Sequence, residues 1–257
     1  MFENKNRGSK TVAITNVKIL GISGTPILGG NCDVLVQEAL KAAEEVGREI
    51  GGVTTEFISM ADKKVAMCEH CQWCVENRKP CKIKDDAHAI FDKITECDGL
   101  ILGGPTWALT LAPPLVNLFS RSRYATFFTH QWRNKVVGGV TVGFFGWGSE
   151  KALEIINSLA NATGMIMVHG SVGIASTTAF GQRPAYLEHG VLDHTAGIRQ
   201  TKGVGYKVVE VARMIKNATE QGVVLPEKYT LTRSGGRLKQ PENKMFIDGV
   251  WREKKQD

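Results

Sequence analysis

The chain has 257 residues, 42% of them hydrophobic and 23% charged, with 28 glycines, six cysteines and a formal net charge of +6. That is the composition of a soluble globular protein, long enough for one large domain with a full hydrophobic core. The basic residues are spread out, with no nucleic-acid recognition motif and no aromatic residues interleaved along a basic stripe, so the charge points to solubility and not to nucleic acid.

Residues 1–16 form a polar leader without the apolar stretch of a secretory signal, which implies a cytoplasmic protein. "VKILGIS", residues 17–23, predicts a buried strand that stops at Gly24. After the loop "GTPILGGN", residues 33–50 have helical periodicity with Asp33 at the start. Residues 54–60 predict a second strand, and the cysteine-rich segment follows it directly. Residues 85–97 predict a helix with acidic residues in its first turn.

"GLILGGP", from residue 99, predicts a third strand whose continuous apolar character suits a sheet covered on both faces. The uncharged run 99–119 has the length of a bilayer span. Gly103, Gly104, Pro105, Pro113 and Pro114 would break such a helix repeatedly, so no membrane span is expected. A helix from about Pro113 to Tyr124, a strand over 135–145, a helix over 150–164, a strand over 165–173 and a helix over 203–217 complete the series. Five strands alternating with helices predict an α/β fold, a doubly wound parallel sheet. Residues 174–202 read as a long functional loop and residues 218–257 as a C-terminal extension.

In such a sheet, ligands bind at the carboxyl ends of the strands, where strand order reverses. The loops there are 23–32, 59–84, 103–112 and 143–149. The first, "SGTPILGGNCD", joins a strand to a helix N-terminus, where unpaired N–H groups and a positive dipole end suit a phosphate. Ser23, Thr25 and Asn31 add side-chain donors. It is neither a P-loop nor the dinucleotide G-x-G-x-x-G, and a Gly-rich turn without a ligand is the plain alternative. In the third loop, "GGPTWALTLAPP", glycines let a flat ring approach the backbone and Trp107 can cover an aromatic face. The fourth, "GFFGWGSE", has the same character in Gly146, Trp147 and Gly148. Together these loops suggest a planar heterocycle carrying a phosphate.

Four of the six cysteines lie in "CEHCQWCVENRKPC", residues 68–81, spaced C-x2-C-x2-C-x6-C. Thiolates ligate zinc and iron–sulfur clusters. Structural zinc usually takes two well-separated pairs of ligands, whereas this compact run resembles the spacing that holds a cubane cluster. Zinc, or four thiols without a metal, are the alternatives. His70 is more readily a bystander than a ligand. Cys97 reads as a small buried packing residue. His88 reads as structural or exposed. His130, His169, His189 and His194 carry no motif.

The phosphate and ring loops resemble those of the flavodoxin-like NADPH-dependent FMN reductase group. That group has a G-S-P-R-x-x-G-N-[ST] phosphate loop, here "GTPILGGNC", and a G-S-P-x-Y ring loop, here "GGPTW". Ile27 stands where an arginine is frequent and Cys32 where a hydroxyl is usual. A compact cysteine motif inserted after the second strand is in turn the hallmark of the iron-sulfur flavoproteins, a resemblance covering residues 17 to about 215.

The resemblance implies a flavodoxin-like domain over 17–217 with a cluster loop at 62–84. It implies FMN held by Ser23, Thr25, Pro26, Gly30, Asn31, Cys32, Gly104, Pro105, Thr106, Trp107, Ala108, Gly146, Trp147 and Gly148. It implies one [4Fe-4S] cluster on Cys68, Cys71, Cys74 and Cys81, and a homodimer or homotetramer. The expected function is electron transfer between cluster and FMN, with a redox partner such as ferredoxin or NAD(P)H. The alternative is an NAD(P)H-dependent FMN or quinone reductase with a structural cluster. The missing dinucleotide fingerprint favours the carrier.

Overall fold

The computed structural model describes residues 14–175, 189–224, 244–247 and 250–253. Five parallel strands form the main sheet: β1 (Val17–Ser23), β2 (Val53–Ser59), β3 (Gly99–Trp107), β5 (Val136–Gly143) and β6 (Ile166–Ile174). Their order is β2-β1-β3-β5-β6. This is the flavodoxin-like arrangement expected from the alternation of strands and helices, with strand order reversing between β1 and β3. A two-residue strand, β4 (Thr110–Leu111), adds an antiparallel pair to the end of β3.

Helices cover both faces. α1 (Asn31–Ile50) and α6 (Thr195–Glu220) lie on one, and α3 (Ala87–Glu96), α4 (Pro113–Ser120) and α5 (Ser149–Ala162) on the other. The strands divide their side chains between these layers by the two-residue period of the pleat. On β3, Leu100 and Leu102 join Ile94, Leu115 and Ile156, while Ile101 turns to Val36 and Val208. Each such side chain, fully removed from water, contributes about 1.5–3 kcal/mol. Trp132 is buried outright, edge-on to Phe91 and Phe119 at 5.2 and 6.0 Å. Its ring N–H donates to Thr95 Oγ1 at 3.0 Å.

The uncharged run 99–119 is divided among β3, β4 and α4, and among the described residues no helix is long and apolar enough to cross a membrane. α6 begins at Thr195, eight residues before the expected start. Its first turns bury Gly197 and Thr201, whose hydroxyl pairs with Ser171 at 3.0 Å. Small and polar residues on a buried face hide the periodicity that marks a helix. Of the expected long loop over 174–202, residues 176–188 lie outside the described set, and 190–193 form a 3₁₀ turn. Strands β7 (Lys244–Ile247) and β8 (Val250–Glu253) form an antiparallel pair, accounting for the apolar patch at 245–251.

Candidate functional site

The carboxyl ends of β1, β3 and β5 enclose a cavity of about 330 Å³. Thr25, Gly30, Asn31, Cys32, Pro105, Thr106 and Trp107 line it, as the sequence predicts, together with Ile27, Val142, Gly143, Phe144 and Ala175. Gly143 and Phe144 open the fourth predicted loop, whereas Val142 and Ala175 carry no sequence signal of their own. They come into place because β5 and β6 end beside the reversal point. Ser23 does not line the cavity. It is fully buried and its hydroxyl donates to the Cys32 thiol at 3.2 Å. Pro26, Gly104, Ala108, Gly146, Trp147 and Gly148 are likewise not among the lining residues.

The loop 24–30 leads into α1, whose N-cap, Gly30, supplies no side-chain bond to the first-turn N–H groups. The first turn lies at the positive end of a 20-residue helix, beside the cavity. Asp33 sits in the same first turn, but its carboxylate is already engaged. One oxygen accepts from Gly29 N–H at 2.8 Å and the other from Ser59 Oγ at 3.1 Å. The loop is clasped from outside by residues preceding α6. The Asn31 side chain accepts from Val191 N–H at 3.0 Å, and the His189 ring bonds the Gly29 carbonyl. His189 thus meets the site through the sequence-distant turn. His194 bonds the end of β6 instead, with Nδ1 accepting from Ile174 N–H at 3.2 Å, and burial lowers its pKa. His130 lies in a separate cavity with Cys97 and Lys135, and His169 pairs in register with Gly138 on β5.

The ring side of the cavity is built by backbone. Ala108 and Leu109, both at positive φ (47° and 61°), make the tight reversal between β3 and β4. That conformation is uncommon for residues with a Cβ, and here it leaves Trp107 at 48% exposure on the rim. Gly148, at φ 74°, packs against the Leu109 backbone, where a Cβ would lie 2.6 Å from it. A Cβ on Gly143 would come within 2.9 Å of Thr106 Oγ1 and of the buried, unpartnered Ser149 Oγ. Both glycines thus face packed protein, which lets the 143–149 loop close against Thr106 and the Leu109 turn. Phe144, Phe145 and Trp147 of that loop stand exposed, stacked edge-on or tilted at 4.4 and 5.3 Å.

The cysteine segment leaves the end of β2 through a 3₁₀ turn, Met60–Asp62. Its neck is cross-tied: Lys64 N–H donates to Asp86 at 2.7 Å and Ala66 N–H to Asp85 at 2.8 Å. Asn117 of α4 holds the Val65 carbonyl at 2.6 Å, and His88 of α3 bonds the Cys81 carbonyl at 2.9 Å. His88 is thereby a structural residue of the loop. At the crest, a five-residue helix, α2 (Trp73–Asn77), is bounded by Gln72 and Arg78 in the left-handed region, with His70 at φ 52°. Left-handed residues next to helical ones turn N–H groups inward, a geometry common around iron–sulfur sites.

Cys68, Cys71, Cys74 and Cys81 are partly exposed free thiols, whereas Cys32 and Cys97 are buried. Burial raises the pKa of Cys74. The nearby Arg123 works against that rise, and the three other loop thiols add to it. Among the described residues, no three of His, Cys, Asp or Glu are drawn together as a closed metal site. The donor chemistry fits an iron–sulfur cluster, with four thiols on one segment, while the loop stands open.

Residues 17–179 match the model of the NADPH-dependent FMN reductase family, which defines the chain as a flavodoxin-fold oxidoreductase. The protein called iron-sulfur flavoprotein MJ1083, from Methanocaldococcus jannaschii, is 37% identical over 203 residues, covering 78% of this chain and all of that one. The chain belongs to the iron-sulfur flavoprotein family within that broader group. Among solved structures, RosB with a bound 8-demethyl-8-formylriboflavin-5'-phosphate intermediate aligns at TM-score 0.61 and 16% identity. That alignment covers 84% of this chain and 92% of RosB. A flavone reductase aligns at TM-score 0.59 and 18% identity over 78% of this chain, which spans 65% of that protein's length. At such identities the likeness concerns the fold.

Proposed function

We propose that the protein is an electron-transfer flavoprotein holding FMN at the β1–β3–β5 edge and a [4Fe-4S] cluster on Cys68, Cys71, Cys74 and Cys81. The observation that carries this reading is the joint presence, on one sheet edge, of a cavity at a helix N-terminus and a braced loop bearing four free thiols. FMN exchanges one or two electrons and the cluster one at a time, so the pair converts between two-electron and one-electron donors. The protein's part is position and charge. The α1 N-terminus and Thr25 receive a phosphate, Pro105 and Thr106 line the ring's place, and Trp107 covers it. Ile27 and Cys32 supply neither cation nor hydroxyl to the phosphate, so its recognition rests on backbone N–H groups. The titre of the reading is an anaerobic visible spectrum with iron quantification. Flavin absorbance and about four irons per chain are expected, and a chain with neither overturns it.

The match to the FMN reductase family favours a second reading, in which a nicotinamide nucleotide reduces the flavin directly. Mixing with NADH or NADPH in the absence of ferredoxin separates the two. Rapid flavin bleaching selects the reductase, and bleaching only with reduced ferredoxin selects the carrier. The carrier reading places the protein in the cytoplasm as a homodimer or homotetramer, which the mass in solution tests.

A further inference from the structure

Two arginines from the turn after α4 reach the cysteine segment at different heights. Arg121 is fully buried. Its guanidinium donates to the Ala66 carbonyl at 3.2 Å and the Ile83 carbonyl at 2.9 Å. It pairs with Asp85. Those partners flank the sulfur quartet in sequence, so Arg121 closes the neck. Arg123 works at the crest. Its two terminal nitrogens meet Gln72 Oε1 and His70 Nδ1, each at 3.0 Å, and Gln72 and His70 meet each other at 2.8 Å. A third tie runs the other way, with Arg78 of the loop lying 5.9 Å over the ring of Phe128. Phe128 belongs to a π-helical turn, Ala125–Thr129, immediately after Arg123. Such turns are rare and occur often at functional sites.

The crest needs this help. His70, Gln72 and Arg78 all carry positive φ, which costs free energy for side-chain-bearing residues and persists only when the surroundings enforce it. Arg123 grips two of the three through side chains that leave the loop between Cys68 and Cys74. A planar two-pronged guanidinium suits that task better than an ammonium. Its fixed positive charge is thereby held on His70 and Gln72, the two chain neighbours of Cys71.

We propose that Arg123 is a positioning residue for the cysteine loop, holding the crest in its left-handed conformation and raising the reduction potential of the metal centre that the thiols hold. The metal half of this rests on the function proposed above, whereas the positioning half does not. Positive charge beside a centre that gains an electron favours its reduced form, and net charge and hydrogen bonding to sulfur are established determinants of cluster potential.

The test uses the full-length chain isolated anaerobically, with Arg123→Gln and Arg123→Lys. Backbone hydrogen exchange over residues 68–77 reads the positioning. Exchange about fivefold faster or more in both variants is expected, the size of effect that one lost hydrogen bond of ordinary strength produces. Redox titration reads the charge: the potential moves to more negative values in Arg123→Gln and stays near wild type in Arg123→Lys. Unchanged exchange together with an unchanged potential in Arg123→Gln overturns the proposal. If the wild-type chain holds no iron, the functional reading falls, and the exchange comparison still decides whether Arg123 positions the crest.

Discussion

The side-chain carbonyl of Asn31 accepts a hydrogen bond from the backbone N–H of Val191 at 3.0 Å, joining positions 160 apart in the chain. Asn31 opens α1 at the cavity, and Val191 lies in the 3₁₀ turn before α6. The loop proposed to receive a phosphate is thus held by a segment that contributes no lining residue of its own. Asn31→Ala leaves the buried Val191 N–H without its partner, a loss of about 1–3 kcal/mol. We expect a matching fall in stability by denaturant unfolding and FMN affinity weaker by about tenfold in a fluorescence titration, as loss of one such bond implies. Full retention of affinity would detach the turn from the site.

Gly205→Ala sets two effects against each other. Alanine favours a helix interior by up to about 1 kcal/mol over glycine. At this position, however, the new Cβ would lie 2.1 Å from the Ala39 carbonyl oxygen, which is helix backbone and cannot rotate away. Overpacking of this kind costs about 1–3 kcal/mol and forces α1 and α6 apart. The net expectation is a destabilisation of up to about 2 kcal/mol, the difference of those two effects. A variant more stable than wild type in urea would show that α6 can shift without cost.

Gly205 also shows where the sequence stops being readable. The five parallel strands and most helices follow from apolar runs and caps, because β3 or α1 buries Leu, Ile and Val in regular register. α6 instead buries Gly197, Thr201 and Gly205 near its start, and its first eight residues read as loop. Lining residues were legible where a motif marks them, as at Thr25, Asn31 and Trp107, and not at Val142 or Ala175, which only the strand order brings near. Ser23 has the residue type of a phosphate donor, yet β1 turns its hydroxyl inward to Cys32. The cysteine segment announced its chemistry by spacing alone, but its arginine braces lie some fifty residues downstream and only the fold reveals them.

The six thiols divide by environment. Burial pushes the Cys32 and Cys97 thiols up to about 12, so both stay protonated at neutral pH and shielded from reagent. The other four are partly exposed. Alkylation depends on thiolate and on access. Brief treatment of the folded, metal-depleted chain with iodoacetamide is expected to label Cys68, Cys71, Cys74 and Cys81. Cys32 and Cys97 should react only after denaturation. Peptide mass spectrometry reads the pattern, and early labelling of Cys32 would mean that the loop 24–30 opens freely.

The Asp85–Arg121 pair makes the neck of the cysteine loop sensitive to acid. Burial pushes the Asp85 carboxyl up. The Arg121 hydrogen bond and the N–H groups of Ala66 and Ala87 outweigh that, leaving it below its ordinary value. A carboxylate depressed in the folded state stabilises fully above its unfolded pKa, about 3.9, and loses that contribution as pH falls through the folded value. The protection of backbone amides over 64–87, measured as exchange relative to the intrinsic rate at each pH, is therefore expected to be flat above about pH 5, beyond the ordinary carboxylate range, and to fall below about pH 4. Asp85→Asn should remove this acid limb, because no charge remains to be neutralised. Arg121→Met is the harsher change. With Arg121 at 0% and Asp85 at 10% side-chain exposure, it strands a carboxylate in a dry neck, and breaking a buried pair on one side costs about 3–5 kcal/mol. The double variant Arg121→Met/Asp85→Asn should recover part of that loss. A double variant no better than Arg121→Met alone would assign the neck's stability to the carbonyl contacts at Ala66 and Ile83 in place of the ion pair.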